Sequence, residues 1–319
     1  MISGLGFGGA PIANLYTEVS DEDARATVDA AWDAGVRYFD TAPHYGLGLS
    51  ERRLGAALAD RPRSEFVIST KVGRVLEPFG GGGLDDAGFL VPATHRRVWD
   101  FSADGVRRSL DSSLERLGVD HVDIVYLHDP DNHWEQALTE GLPALQSLKE
   151  QGVIRAIGVG MNQWQMPERF IRESSLDYVM LAGRYTLLEQ DSLASFLPLC
   201  LERNVSVVAV AIFNSGLLAR PEVPTDATYN YAAAPAEVID RARRIADVCK
   251  RHSAVLPQAA LQFPFGHPAV KAIAVGARTP SEITENAQLL ADTVPGELWA
   301  DLKAEGLLGA DVPTPGVAS

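Results

Sequence analysis

Short apolar runs rich in β-branched and aromatic residues recur along the chain, and between them lie longer stretches whose apolar positions repeat with helical period. The runs fall at residues 5–8, 37–40, 66–71, 123–128, 156–159, 178–181, 206–210 and 271–275. The amphipathic stretches fall at 21–34, 50–59, 103–117, 134–151, 167–174, 192–203, 235–252 and 281–290, many of them starting at a Ser, Asp or Pro suited to a helix N-terminus. Eight strand-helix pairs without a linker or a composition break predict a single (β/α)8 TIM barrel domain spanning 1–319, with a doubly wound sheet as the alternative. Three segments exceed ordinary loop length: 72–102 with its glycine run at 80–83, 213–234, and the tail after Asp292. The first two follow strands, so long loops are expected at the C-terminal face, where barrels carry their sites.

Composition narrows the function. A net charge of −14 disfavours nucleic acid and anionic membrane surfaces as partners. No signal-like N-terminus and no apolar run of membrane-spanning length is present, so a cytoplasmic protein is expected; its oligomeric state is left open. Cys200 and Cys249 lie in helical stretches without a CxxC or a Cys/His cluster and read as packing thiols. The GxGxxG match at 4–9 has no preceding strand and no following helix, so it reads as a glycine-rich first strand that something approaches closely.

The chemistry concentrates at strand ends. The second run ends on the carboxylate Asp40, an expensive group to leave unpaired at the mouth of a buried strand. Tyr45 follows in the next loop, the third run ends on Lys71, and the fourth ends on His128. A barrel brings those ends to one rim, so Lys71 is expected to pair with Asp40 beneath Tyr45. A buried ammonium beside a phenol favours phenolate, which would lower the tyrosine pKa from about 10 toward neutrality and fit it for acid–base work. His44 and Asp129 read as loop and capping groups. A zinc site from His44, His128 and His133 is disfavoured by the adjacent lysine and the missing thiolates, so no metal is expected. A lone acid–base tyrosine needs a partner for the electronic step, which suggests a nicotinamide.

Asp-Thr-Ala-x-x-Tyr-Gly at 40–46, then Ser50-Glu51, Leu54-Gly55, Lys71, Leu127-His128 and Ile157-Gly158-Val159, resemble the aldo-keto reductases along nearly the whole chain. The resemblance implies a barrel that binds an extended nicotinamide cofactor and a small carbonyl or sugar substrate. It assigns Tyr45 as acid–base, Lys71 as the group depressing its pKa, Asp40 as the holder of Lys71, and His128 as the group orienting the substrate oxygen. It also places Asn162 on the nicotinamide amide, and a loop of Phe213, Asn214, Ser215, Gly216 and Leu218 on the ring and the pyrophosphate. Ala182 stands where an amide-binding Gln is usual, and Val210 near a usual stacking Tyr.

After the eighth strand, Glu285-Asn286 fixes the alignment. Gly276 and Ala277 then stand where a 2′-phosphate clamp would lie, with Glu282 in the place of its arginine. NAD is therefore expected in preference to NADP, with Glu282 at the ribose 2′-hydroxyl, Asn286 near the adenine, and Arg278 as the residue able to reach a phosphate. Within the family, GFGGAPIANLY, RRVWDFS, LHDPD, LAGRYTLLEQ and FNSGLLA resemble the branch of D-threo-aldose 1-dehydrogenases (L-fucose dehydrogenases) and pyridoxal 4-dehydrogenases. That implies oxidation of an aldose C1 hydroxyl to a lactone, with His133, Trp134 and Trp164 as a sugar platform; pyridoxal oxidation or general carbonyl reduction is the alternative. The family's N-terminal hairpin is missing, so another segment must cover the barrel floor, and the tail with Trp299 and Leu302 is expected there or in the substrate pocket.

Overall fold

The computed structural model describes residues 2–230 and 232–316. Eight parallel strands form one closed barrel: β1 (Gly4–Gly8), β2 (Tyr38–Asp40), β3 (Val67–Val72), β4 (Ile124–His128), β5 (Ala156–Met161), β6 (Tyr178–Ala182), β7 (Ser206–Val210) and β8 (Val270–Gly276). They are paired in chain order, and β1 closes the ring by pairing with both β8 and β2. The (β/α)8 expectation holds.

Helices α1 (Asp21–Asp33), α2 (Leu49–Leu58), α3 (Ala103–Leu117), α4 (Leu142–Glu150), α5 (Gln165–Glu173), α6 (Phe196–Glu202), α7 (Ala236–Arg251), α8 (Leu256–Gln262), α9 (Pro280–Ala291) and α10 (Gly296–Ala304) surround the barrel. Local chemistry sets their ends. Ser20 and Ser102 cap α1 and α3 by accepting from the N–H groups of Asp23 and Gly105. Gly118 ends α3 at φ 66, a conformation glycine adopts without a Cβ clash. Among the described residues no helix is long and apolar enough to cross a membrane.

The barrel interior is lined by alternate strand residues: Tyr38, Ile124, Tyr126, Tyr178, Met180, Val208, Ala272 and Ala274, together with Ile2. Ile2 and the inward tyrosines thus fill the end that was expected to need a cover. Glycine makes room for the rings: a Cβ on Gly6 would lie 2.5 Å from Tyr38 Cδ1, and one on Gly158 would lie 2.7 Å from Tyr126 Cδ1 and 2.4 Å from the Tyr178 carbonyl oxygen. In the first strand, Gly6 is the glycine that serves close approach, by the Tyr38 ring.

The tail goes elsewhere than expected. Trp299 and Leu302 are buried in the outer core, with Trp299 near Phe263 (6.3 Å between rings), and His252 meets Asp301 at 2.8 Å. The α10 segment therefore packs against α7, away from both the floor and the substrate cavity.

The segment 72–102 forms an antiparallel hairpin, Arg74–Pro78 with His95–Trp99, whose connecting loop carries Phe89. Phe89 and Val91 pack with Ala13 and Leu47, and against Leu15 and Tyr45. Burial of this small cluster holds the loop over the C-terminal mouth of the barrel.

Candidate active site

Asp40, Lys71 and His128 stand at the C-terminal ends of the neighbouring strands β2, β3 and β4, and the loop after β2 brings Tyr45 over them. Lys71 Nζ donates to Asp40 Oδ2 at 2.6 Å, to the Thr41 carbonyl at 3.0 Å and to Tyr45 OH at 3.1 Å. The far carboxylate oxygen, Asp40 Oδ1, accepts from Ser69 Oγ at 2.6 Å. Ser69 in turn meets Tyr38 OH at 2.9 Å, and Tyr38 lies 3.4 Å from Tyr126 OH. A carboxylate that expected one partner has two, and a line of hydroxyls runs from it into the barrel.

The rings of Tyr45 and His128 meet edge to face at 6.0 Å, and His44 meets His128 in the same manner at 5.6 Å. These groups share a cavity of about 520 Å³, whose wall also includes Gly8, Phe89, Arg74, Asp129 and Asn162.

Electrostatics here differ from the expectation in one respect. Burial raises the Tyr45 pKa above that of an ordinary tyrosine; Lys71 pulls it back, Asp40 opposes Lys71, and burial wins. The phenol therefore keeps its proton in this state, because burial outweighs the ammonium, whose pull Asp40 partly offsets. Burial also works against the Lys71 ammonium, yet Asp40 and Tyr45 outweigh it and its pKa rises. His128 is pushed well below its usual range by burial and by Arg74 and Lys71. His44 falls to about 2, through burial and then Arg74, Arg97 and Lys71. Both imidazoles are neutral.

Two loop residues read as bland in the sequence belong to the site. His44 and Asp129 line the cavity, because the turn after β2 and the turn after β4 both fold inward over the rim. Arg74, Phe89 and Tyr16 line it too and were not foreseen. Phe89 arrives over a loop without periodic signal, whereas Arg74, three residues beyond Lys71 and just after Gly73 at φ 104, could have been found from its distance to the strand end.

The sugar platform does not form at the cavity. His133 stacks on Trp99 (5.1 Å), while Trp134 packs against Phe170 (4.3 Å) with the Arg169 guanidinium 4.0 Å above its ring. Trp164 packs onto the core at the start of α5, and none of the three lines the cavity. The helical start after β4 turns Trp134 onto α5, where its ring is covered.

Of the cofactor candidates, Asn162 and Gly276 line the cavity, as do Ala182 and Val210. Asn162 Nδ2 donates to Asp129 Oδ1 at 3.3 Å. Phe213 packs against the outer core and is not in the cavity wall. The next three residues, Asn214, Ser215 and Gly216, all have left-handed backbone (φ 46, 59 and 91), and the buried Asn214 Oδ1 has no hydrogen-bond partner among the described residues. Leu218 is fully buried. At the start of α9, Glu282 Oε2 accepts from the Arg278 N–H at 2.7 Å, and the Arg278 Nε is buried without a partner among the described residues. Arg278 is thus partly buried and not a solvent-facing loop charge. Glu285 and Asn286 follow on the same helix.

The aldo/keto reductase family model matches residues 4–304. A D-threo-aldose 1-dehydrogenase from a Pseudomonas species is 48% identical, over 98% of this chain and 96% of the relative. A pyridoxal 4-dehydrogenase from Microbacterium luteolum is 41% identical, over 96% and 95%. Among solved structures, an aldo-keto reductase from Bacillus halodurans in its holo form superposes with a TM-score of 0.76 at 26% identity, over 98% of this chain and 94% of that one. With the barrel, the strand-end groups and these relatives in agreement, the chain belongs to the aldo/keto reductase family and is an oxidoreductase.

Proposed function

We propose that this protein oxidises the C1 hydroxyl of an aldose to the lactone with NAD+, and that Tyr45, Lys71, Asp40 and His128 carry the reaction. The observation that supports this most is the buried line Asp40–Lys71–Tyr45 beside a neutral His128 in the wall of one cavity. The aldose dehydrogenase relative supports the substrate class. When bound, a nicotinamide takes up the hydride that leaves C1.

The protein's own residues handle the proton and the geometry. Tyr45, in its phenolate form, receives the C1 hydroxyl proton as the C1–H bond breaks and the carbonyl forms. Lys71 stabilises the phenolate that precedes this transfer, and Asp40, held by Ser69, keeps the ammonium in place. His128, neutral, donates to or accepts from the substrate oxygen without bringing a second charge.

The residues present fit a dinucleotide. A carboxylate only accepts, so Asp129 fixes the Asn162 nitrogen toward itself and leaves Asn162 Oδ1 free for a carboxamide N–H. The left-handed turn at Asn214, Ser215 and Gly216 suits close backbone approach of a polar group, and Asn214 Oδ1, an acceptor without a partner among the described residues, suits a ribose hydroxyl. Gly276 lies in the cavity wall, where a Cβ would meet the Pro11 ring at 2.5 Å, so the glycine lets Pro11 close in on the end of β8.

The preference for NAD+ over NADP+ rests on Glu282. One of its oxygens is occupied by the Arg278 N–H, the other remains to accept from a ribose 2′-hydroxyl, and both would repel a phosphate. Asn286 then lies toward the adenine. The aromatic groups around the mouth, Phe89, His44 and Tyr16, would also accept a flat pyridine, so pyridoxal is the second substrate to test. Turnover of L-fucose, L-galactose, D-arabinose and pyridoxal with NAD+, compared with Tyr45→Phe, tests the proposal: an aldose should be fastest, and wild-type rates in the variant would refute the assigned base.

A further inference from the structure

A second ion pair, Arg74 with Asp129, borders the cavity. Asp129 follows His128 with φ 44, an uncommon conformation for a residue with a side chain, and its N–H is tied to the Gly160 carbonyl at 3.0 Å. The turn aims its carboxylate at the Arg74 guanidinium, at Asn162 Nδ2 and, at 3.7 Å, toward His128 Nε2. On its other side the guanidinium lies 4.5 Å from the centre of the Trp99 ring, which His133 backs by stacking. The Arg74 and Asp129 side chains are only 14% and 16% exposed, and both line the cavity.

Two desolvated charges on a strained turn are a poor means of gaining stability, since apolar residues of similar size serve as well or better. Their position beside the substrate-facing histidine gives them a ligand to read. Resting on the aldose reading above, we propose that Arg74 and Asp129 clamp the hydroxyl next to the reacting carbon of a neutral polyhydroxy substrate, and so discriminate against both deoxygenated and anionic substrates. A hydroxyl donates and accepts at once; the carboxylate takes its proton side and the guanidinium its oxygen side.

Charge in the cavity is balanced. Lys71 is matched by Asp40 and Arg74 by Asp129, the nearby Arg97 is bound to Asp85 and to the His44 carbonyl, and both histidines are neutral. A phosphorylated or carboxylated sugar would therefore bury an unmatched anion.

Three substrates test this: a neutral aldose and its 2-deoxy analogue, both assayed in oxidation with NAD+, and an aromatic aldehyde without hydroxyls, assayed in reduction with NADH. The wild type should prefer the aldose over the deoxy sugar by about ten-fold or more in kcat/KM. Arg74→Met should lower kcat/KM for the aldose at least ten-fold more than for the aldehyde, and should nearly abolish the distinction between aldose and deoxy sugar. Asp129→Asn unmasks the guanidinium and should raise the ratio of aldose 6-phosphate to aldose activity by about ten-fold. Arg74→Lys keeps the charge without the fork, should recover part of the discrimination, and is read in the same way if Arg74→Met does not fold. Equal losses on aldose and aldehyde, or a wild type blind to the 2-hydroxyl while turning over the aldose, would overturn the clamp alone. A wild type active on the aldehyde and on no aldose would overturn the aldose reading and the clamp with it.

Discussion

Tyr45 holds its proton in the structure because burial outweighs the ammonium 3.1 Å away, and that balance has kinetic consequences. Oxidation needs Tyr45 to accept a proton, so the reactive fraction is phenolate, which grows as pH rises toward a pKa set above the ordinary tyrosine value. The rate of oxidation should therefore climb through the alkaline range. Lys71→Met removes the group that pulls this pKa down, so the climb in any residual activity should move to higher pH; a pH–rate profile that stays in place would remove Lys71 from the mechanism. Tyr45→Phe deletes the proton acceptor and little packing, and should lower kcat by about 10²–10⁴-fold while cofactor affinity, read by fluorescence titration, changes little. His128 is neutral on either side of neutrality, so a break in the rate profile near the usual histidine range would contradict its assignment.

At the scale of elements, the barrel strands were legible because each is a short β-branched or aromatic run ending at a polar group, and the rim tetrad was legible for the same reason. Asp40, Lys71 and His128 each end a predicted strand, and the geometry of a barrel does the rest. Helix α8 was not legible: Leu256, Pro257, Gln258, Ala259, Ala260 and Leu261 are all buried, so the segment is covered on every side and shows no amphipathic period. The side-chain directions of Trp134 and Trp164 were beyond sequence as well, since proximity to a strand end does not say whether a ring turns to the cavity or to the neighbouring helix. The direction of the tyrosine pKa is beyond sequence too, since a sequence names the ammonium but not the depth of burial that opposes it.

The glycine in β5 offers a mechanical check of the interior. A methyl group at Gly158 would lie 2.4 Å from a backbone oxygen of β6, which cannot move without disturbing the sheet, so Gly158→Ala should cost about 1–3 kcal/mol in denaturant unfolding. An unchanged midpoint would show that the inward tyrosines are not packed as described. Ser69→Ala removes one of the two donors on Asp40 without emptying much volume; the oxidation rate should fall several-fold with little loss of stability, in keeping with a role in holding Asp40.

For the molecule as a whole, one barrel brings the proton chemistry, the ion pair at Asp129 and the turn at 214–216 to its C-terminal end, while Ile2 and three tyrosines fill the interior below. The net charge of −14 is spread over a surface that must still admit an anionic dinucleotide, which makes the local groups after β8 decisive for which one enters. Glu282→Arg should narrow or reverse the ratio of kcat/KM with NAD+ to that with NADP+, by relieving repulsion and adding a phosphate contact. Equal wild-type constants for both cofactors would instead point to Arg278 as a phosphate ligand.

Oxidation at C1 of an aldose leaves an isotopic record in both products. The purified protein is incubated with NAD+ and L-fucose labelled with deuterium at C1, and the label and the sugar product are followed by NMR. The deuterium should move from C1 to the reduced nicotinamide and the sugar should emerge as its lactone, with neither change in Tyr45→Phe. Label retained at C1 while NADH forms, or a fast reduction of simple aldehydes with no oxidation of any aldose, would contradict it.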